Sequence, residues 1–317
     1  NNMEFWQFEQ RINLSLKAKI ALSKTRIKEW YNHYDSRVYV SFSGGMDSTV
    51  LLNIVRQVYP EIPAVFFDTG MEYPEIKAHV KGTENVTIIR PKKIFSQVIK
   101  EYGYPIISKQ TAHSLSIHQN PTEENKASRN LHLTGYTRSG QYAPNFKLAE
   151  KWRYLKDAPF KISDRCCHWL KKEPARRYIK ETERYPMLGT QATESRIRKD
   201  VYLKTGCNAY DLKHPRSTPL GFWTNQNTLE YLKKMGIPYA SIYGDIIEKR
   251  GKLETTGEGG TGCMFCMFGV HLEKHPNRFD RLKKSHPKHY DYCMKKLGLQ
   301  KVLDYIGVYQ YESLEIY

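Results

Sequence analysis

Two groups of residues in this chain have types and spacings that could do chemistry. The first is the run Ser41-Phe42-Ser43-Gly44-Gly45-Met46-Asp47-Ser48. Adjacent glycines let a turn approach a ligand closely and take positive φ angles. If a helix follows, its first N–H groups lack intrahelical partners and carry the positive end of the helix dipole. Together these make a cradle for phosphate or pyrophosphate. No GK[ST] ending follows, so this is not the nucleotide loop that carries a lysine. The plain alternative is an ordinary turn. The second group is cysteine. Cys166 and Cys167 are adjacent, and Cys263 and Cys266 are two residues apart. Four thiolates satisfy either Zn²⁺ or a [4Fe–4S] cluster, and the tandem pair is unusual for tetrahedral zinc. The alternative is a set of buried structural thiols. Arg165, Lys171 and Lys172 stand nearby in sequence and would favour thiolates. Cys207 and Cys293 look unpaired and receive no role.

The elements that must position these groups read as follows. Residues 3–34 have helical apolar spacing and no proline. Val38 to Phe42 is a short strand, and a helix runs from about Ser48 to Val58. Ile62 to Asp68 is a continuous apolar run, as expected of a strand buried on both faces. It ends in Asp68-Thr69-Gly70. A helix over 74–82, a strand at Val86 to Ile89 and a helix from Ile94 to Tyr102 follow. The alternation predicts a doubly wound parallel sheet, with ligands outside the carboxyl ends of the strands. Residues 108–160 are polar and read as loops with short helices, an insertion over a site. A helix is expected from Lys171 to Thr182, strands at Tyr185 to Gly189 and Thr218 to Gly221, and a helix from Thr224 to Lys234 closed by Gly236.

The 317 residues carry a net charge of +17, which favours a polyanionic partner such as nucleic acid. A merely solvated basic surface is the alternative. Residues 151–216 hold 17 Lys/Arg against 8 Asp/Glu, and residues 271–301 hold 9 against 3. Trp152, Tyr154, Trp169, Tyr178, Tyr185, Phe279, Tyr290 and Tyr292 are interleaved with them, a mixture suited to phosphate contacts and base stacking. His33, His113, His118 and His132 read as surface or loop residues. His271, His275, His286 and His289 read as solvated or phosphate-facing. No apolar run is long enough to span a membrane, and no signal peptide is visible. A cytoplasmic location is expected, where cysteines serve metal or redox chemistry.

Several segments then agree in order with a known family. The pattern CC…CxxC is similar to that of the iron–sulfur adenylyl-sulfate reductases and their relatives in the phosphoadenosine-phosphosulfate reductase family. Asp68-Thr69-Gly70 with Tyr73-Pro74-Glu75, Cys166 to Pro174, Gly189 to Arg196, Pro219 to Thr224, and Pro238 to Tyr243 before Gly262-Cys263 resemble its successive motifs. The loop itself resembles the SGGxDS signature of the PP-loop ATP pyrophosphatases, with Met46 where a lysine is often found. The resemblance covers about residues 36–270. It implies a PP-loop, adenine nucleotide alpha hydrolase-like domain there, between a helical segment 1–35 and a basic helical segment 271–317.

For the site, the resemblance implies ATP with Mg²⁺, cut between its α and β phosphates. Ser41, Ser43, Gly44, Gly45, Asp47, Ser48, Asp68, Thr69, Gly70, Arg196 and Arg198 would bind the nucleotide. Asp47, Ser48 and Arg196 would carry the chemistry, Asp47 by ordering the loop or the Mg²⁺. Lys109 is a further phosphate candidate. Cys166, Cys167, Cys263 and Cys266 would hold a [4Fe–4S] cluster, with Zn²⁺ the alternative. Sulfonucleotide reductases usually carry a degraded loop and a C-terminal ECG(I/L)H tail. Here the loop is intact and the residues from Tyr309 to Tyr317 do not match that tail. This resembles the branch that includes the ATP pyrophosphatase of DNA phosphorothioation and the cluster-dependent tRNA thiolases. The expectation is ATP-driven sulfur transfer to a nucleic acid, DNA or tRNA. A cysteine desulfurase as sulfur donor and a homodimer are also expected. The alternatives are an unusual sulfonucleotide reductase and a non-catalytic nucleic-acid-binding subunit.

Overall fold

The computed structural model describes residues 3–309. The chain forms two compact units. The first contains the residues up to Asp68, Glu72–Arg90 and Pro174–Thr261; the second contains Thr69–Met71, Pro91–Glu173 and the chain from Gly262. The tail from 310 and residues 1 and 2, on which part of the terminal expectations fall, lie outside the described residues.

The first unit is an α/β sheet. Its strands are β1 (Val38–Ser41), β2 (Ala64–Phe67), β3 (Val86–Ile89), β4 (Tyr185–Leu188), β5 (Asn208–Ala209) and β6 (Arg216–Ser217), in the spatial order β3-β2-β1-β4-β6-β5. Every pairing is parallel except β5 with β6. Valine, alanine and aromatic residues dominate β1 and β2 because both faces are buried, as predicted for β2. β2 and β3 lie on one side of β1 while β4 lies on the other, so the strand order reverses between β1 and β4. Ligands of doubly wound sheets bind at such a switch point.

The helices begin and end where the sequence supplies caps. The expected 3–34 segment is two helices, Phe5–Ile12 and Leu16–His33, because the Ser15 hydroxyl accepts from the Ala18 N–H at 3.3 Å and starts a second one. Thr224 caps Asn225–Met235, and Gly236 in the left-handed region ends it, as expected. Two expectations fail here. Thr218 to Gly221 is a turn, with the Gly221 N–H bonded to the Thr218 carbonyl at 2.9 Å, and the strand is the preceding Arg216–Ser217. Pro219 cannot donate to a ladder. A hairpin, β7 (Ile246–Lys249) with β8 (Lys252–Thr255), was not expected; Arg250 and Gly251 turn it with φ of 53° and 72°.

The second unit is mainly helical: Phe95–Glu101, Lys109–Gln119 and Lys126–Thr134, then short helices after Arg278. The 108–160 stretch thus holds the expected short helices. Tyr178 and Phe279, read from composition as surface aromatics, are buried. His132, read as a surface residue, is also buried, with its ring about 6 Å from those of His113 and His118. No helix among the described residues is long and apolar enough to cross a membrane.

Within the first unit the Leu16–His33 helix is tied to its neighbours by polar groups inside the core. The Trp223 indole donates to Ser23 Oγ at 3.0 Å, and Ser23 donates to the Pro219 carbonyl at 2.9 Å. Lys19 is fully buried, with its Nζ 2.5 Å from Asn227 Oδ1. Burial lowers the Lys19 ammonium from its ordinary 10.5 to about 8, against a smaller pull from Glu230. Between those values the unfolded chain binds the proton and the folded chain does not, so stability should rise with pH across that window. The full rise is ~3 kcal/mol. Lys19→Met should flatten it and leave stability at pH 7 equal or higher, since Asn227 Oδ1 keeps its bonds from Thr224. Urea unfolding of both proteins at pH 7 and pH 10 measures the difference.

Candidate functional site

The glycine loop leaves β1 at Ser41 and enters the Met46–Arg56 helix with Gly45 as its N-cap. No side chain caps that helix, so its first N–H groups face the loop. Gly44 has φ of 74°, and a Cβ there would lie 2.8 Å from both Ile76 Cγ2 and Val80 Cγ2. Only glycine fits, for backbone and packing reasons together. The loop is braced by its serines. Ser48 Oγ donates to the Gly45 carbonyl at 2.9 Å, accepts from the Ser43 N–H at 3.2 Å and lies 3.0 Å from Ser43 Oγ. Tyr243 closes one side: its phenol accepts from the Met46 N–H and sits 2.5 Å from Thr261 Oγ1.

Asp47 is turned into the protein. Its Oδ1 accepts from Gln191 Nε2 at 2.6 Å and from Thr228 Oγ1 at 2.7 Å. Burial raises its carboxyl above the usual range, while Thr228, the charge of Arg198 and Gln191 oppose that rise. Of its two expected roles, loop ordering has the geometry. Arg198 is brought close enough to act on Asp47 and pairs with Glu194. Arg196 is 91% exposed on the same helix and 3.9 Å from Asp200. Ser41 contributes backbone to the sheet, paired with Val65 and Leu188. Asp68, at the end of β2, is ion-paired to Lys77 at 2.9 Å and to Arg90 at 3.8 Å. In the second unit Thr69 Oγ1 accepts from the Met71 N–H at 3.2 Å, and Gly70 has φ of 80°.

Gln191, Thr228, Tyr243, Lys77 and Gly189 were not among the expected site residues. Gln191 and Gly189 lay inside a motif quoted for its arginine, and Tyr243 inside another. Thr228 left one signal, a polar residue on the apolar face of a helix. Gly189 follows β4, and a Cβ on it would lie 2.9 Å from the Asp47 carbonyl carbon and oxygen and 3.0 Å from the Ser48 nitrogen.

The four cysteines gather in the second unit. All are free thiols. Cys166 and Cys167 sit at the start of a helix with their Sγ atoms 4.0 Å apart. Cys263 and Cys266 flank a turn closed by the Cys266 N–H on the Cys263 carbonyl at 3.1 Å. The hydrogen bond with Cys167, burial, and the charges of Cys167, Cys266 and Cys263 all push the Cys166 thiol up. Cys166 thus lies within electrostatic reach of the other three sulfurs. The hydrogen bond from Cys166 brings Cys167 down to about 6, with Lys109 and Lys171 also lowering it. Lys109, considered above for phosphate, is thus aimed at this thiolate. Among the described residues no group of three or more His, Cys, Asp or Glu is arranged to hold a metal ion. What fits a thiophilic centre is the donor chemistry: four thiols, with Cys166 within reach of the other three and Cys167 favoured as thiolate. Cys207 and Cys293 are buried, and burial raises both thiols, Cys293 to about 12.

The approach of Gly189 to the loop yields a prediction. Gly189→Ala must push backbone against backbone, which costs ~1–3 kcal/mol in a packed interior. The protein should stay folded with a lowered melting temperature, and its affinity for inorganic pyrophosphate or ATP should fall at least about tenfold. Gly259→Ala, where a Cβ meets open space, should change neither. Calorimetric titration with both ligands reads the effect.

The chain is similar to two solved structures. One is the phosphate complex of phosphoadenylyl-sulfate (PAPS) reductase from Candida auris, at 14% identity over 80% of this chain and 98% of that one, with a TM-score of 0.41. The other is Candida glabrata FMN adenylyltransferase in complex with ATP, at 12% identity over 77% of this chain and 67% of that one, with a TM-score of 0.40. No curated protein matches it. The model of the phosphoadenosine phosphosulfate reductase domain matches residues 37–105 and 94–258, from the strand before the glycine loop to the approach to Cys263. By that match the chain belongs to the phosphoadenosine phosphosulfate reductase domain family.

Proposed function

We propose that this protein is an ATP-dependent enzyme that forms AMP and pyrophosphate while activating an acceptor for sulfur transfer. The supporting observation is the SGGMDS loop, complete in sequence and braced by Ser43, Ser48, Asp47 and Gly189. Such a loop presents several N–H groups to a β,γ-diphosphate, which a sulfonucleotide lacks. In this reading the acceptor's oxygen attacks the α-phosphorus of ATP, and the bond to the β-phosphate oxygen breaks. Pyrophosphate leaves toward the loop N–H groups, Ser43 and Ser48. Sulfur at the sulfide level then displaces AMP, and the acceptor's C–O or P–O bond becomes C–S or P–S. Asp47 positions the loop, and Arg198 adds positive charge where phosphate charge develops.

Cys166, Cys167, Cys263 and Cys266 would hold an iron–sulfur cluster, which when bound would offer a place for sulfide. The hydrogen bond from Cys166, with Lys109 and Lys171 beside it, favours at Cys167 the thiolate form that ligation requires. The acceptor is a nucleic acid in this reading, in keeping with the charge of +17.

Anaerobically prepared protein incubated with α-labelled ATP and Mg²⁺ should yield AMP and pyrophosphate. Ser48→Ala should lower that rate by about 100–1000-fold, the loss expected for one donor in a preorganised anion site. ADP as the product would overturn the reading. Sulfite released from adenylyl sulfate or its 3′-phosphate would favour the reductase alternative. The protein should also contain iron and acid-labile sulfide that Cys263→Ser together with Cys266→Ser removes; zinc in their place would replace the cluster with a structural metal.

A further inference from the structure

The second unit carries a basic groove that neither the nucleotide loop nor the cysteines use. It is about 560 Å³ in volume and is lined by Lys92, Lys93, Gln97, Lys100 and Glu101. Glu101 is engaged by Lys93, and Lys161 reaches in with its Nζ 3.4 Å from the Glu101 carbonyl. The Lys92 side chain is 65% exposed and lies 3.9 Å from Glu173. Beside the lysines stands an aromatic pair: Tyr102 and Trp169 stack with centroids 5.9 Å apart. Lys93 Nζ lies over both rings, 5.1 Å from Tyr102 and 4.7 Å from Trp169. Trp169 follows Cys167 by two residues.

We infer that this groove holds an unstacked, single-stranded segment of nucleic acid. The inference deepens the reading above and rests on its nucleic-acid acceptor. Lys93, just before the Phe95–Glu101 helix, and Lys100, in its last turn, are seven residues apart, about 10 Å at the helical rise, which leaves room for each to meet a different phosphate of one strand. A strand carries a phosphate on every nucleotide and so can meet several of these lysines at once. The aromatic pair supplies a flat face that accepts any base, provided the base is out of its duplex. An acidic protein would use the lysines and leave the ring faces idle.

The test uses the anaerobically prepared full chain and a fluorescein-labelled 20-nucleotide thymidine strand, with anisotropy read between 50 and 300 mM salt. Lys92→Ala, Lys100→Ala and Lys161→Ala combined should weaken binding at least tenfold and reduce the salt slope by about 2. Trp169→Leu should weaken binding by about 5- to 150-fold and leave the slope unchanged. Tyr102→Leu repeats that arm should Trp169→Leu fail to fold by circular dichroism. Absence of binding by the wild type, binding insensitive to all these changes, or a duplex bound as tightly as the strand overturns the inference. Pyrophosphate release from ATP is measured on the same samples without oligonucleotide. If it is absent while groove-dependent binding persists, the ATP reading fails and the groove stands. If it is intact while binding ignores the groove, the groove alone fails.

Discussion

Asp47 sits where three elements meet, and its buried carboxylate joins them. It belongs to the first turn of the Met46–Arg56 helix, where negative charge is favoured by the dipole. Gln191 comes from the segment after β4, and Thr228 from the Asn225–Met235 helix. The Gln191 amide also reaches Thr228 Oγ1 at 2.8 Å, so the contact is a closed triangle. Behind it, Lys19 fixes the start of the Asn225–Met235 helix through Asn227, and Ser23 fixes Trp223. The switch point between β1 and β4 is thereby held together from below the loop. Above it, the Ser43 and Met46 N–H groups are held by Ser48 Oγ and the Tyr243 phenol, which fix the path of the loop. A buried carboxylate that lost either donor would be costly to keep, which makes this triangle more a constraint on the fold than an ornament of the site.

Much of this was legible in the sequence, for identifiable reasons. β1 and β2 are short apolar runs ending in turn residues, and their burial on both faces needs no partner to be recognised; β3, whose Thr87 and Ile88 are exposed, was legible as a run of β-branched residues. The glycine loop was legible because Gly44 and Gly45 mark the only conformation that fits between strand and helix. The inward turn of Asp47 was not legible, since it depends on Gln191 and Thr228, 144 and 181 residues away. The Arg250-Gly251 hairpin was missed because arginine at positive φ carries no turn signal of its own. Tyr178 and Phe279 were misread because composition records that an aromatic ring is present, and not whether it packs against Tyr39 or faces water. The four cysteines could be grouped from spacing. That Lys109 serves one of them could not, because it precedes Cys167 by a helix and a long connection.

The two units carry opposite kinds of electrostatic work. In the first, backbone N–H groups and a dipole offer weak, fixed partial charges, which suit an anion that must arrive and leave. In the second, the hydrogen bond between Cys166 and Cys167 sets which sulfur is favoured as thiolate, and Lys109 and Lys171 reinforce it at Cys167. Neither arrangement needs a large cavity. Each needs side chains that are already bonded to something else and so have little freedom to relax away.

After Cys167 the backbone makes a π turn, His168–Lys172, before it resumes as the Glu173–Thr182 helix. Such a turn holds one residue more than α-geometry allows. One residue corresponds to about 100° of rotation around a helix axis. In the first unit the helix buries Tyr178 against Tyr39 and Val65. In the second, Cys167 has Lys109 beside it. The extra residue between them means that neither direction is dictated by the other's place on a regular helix.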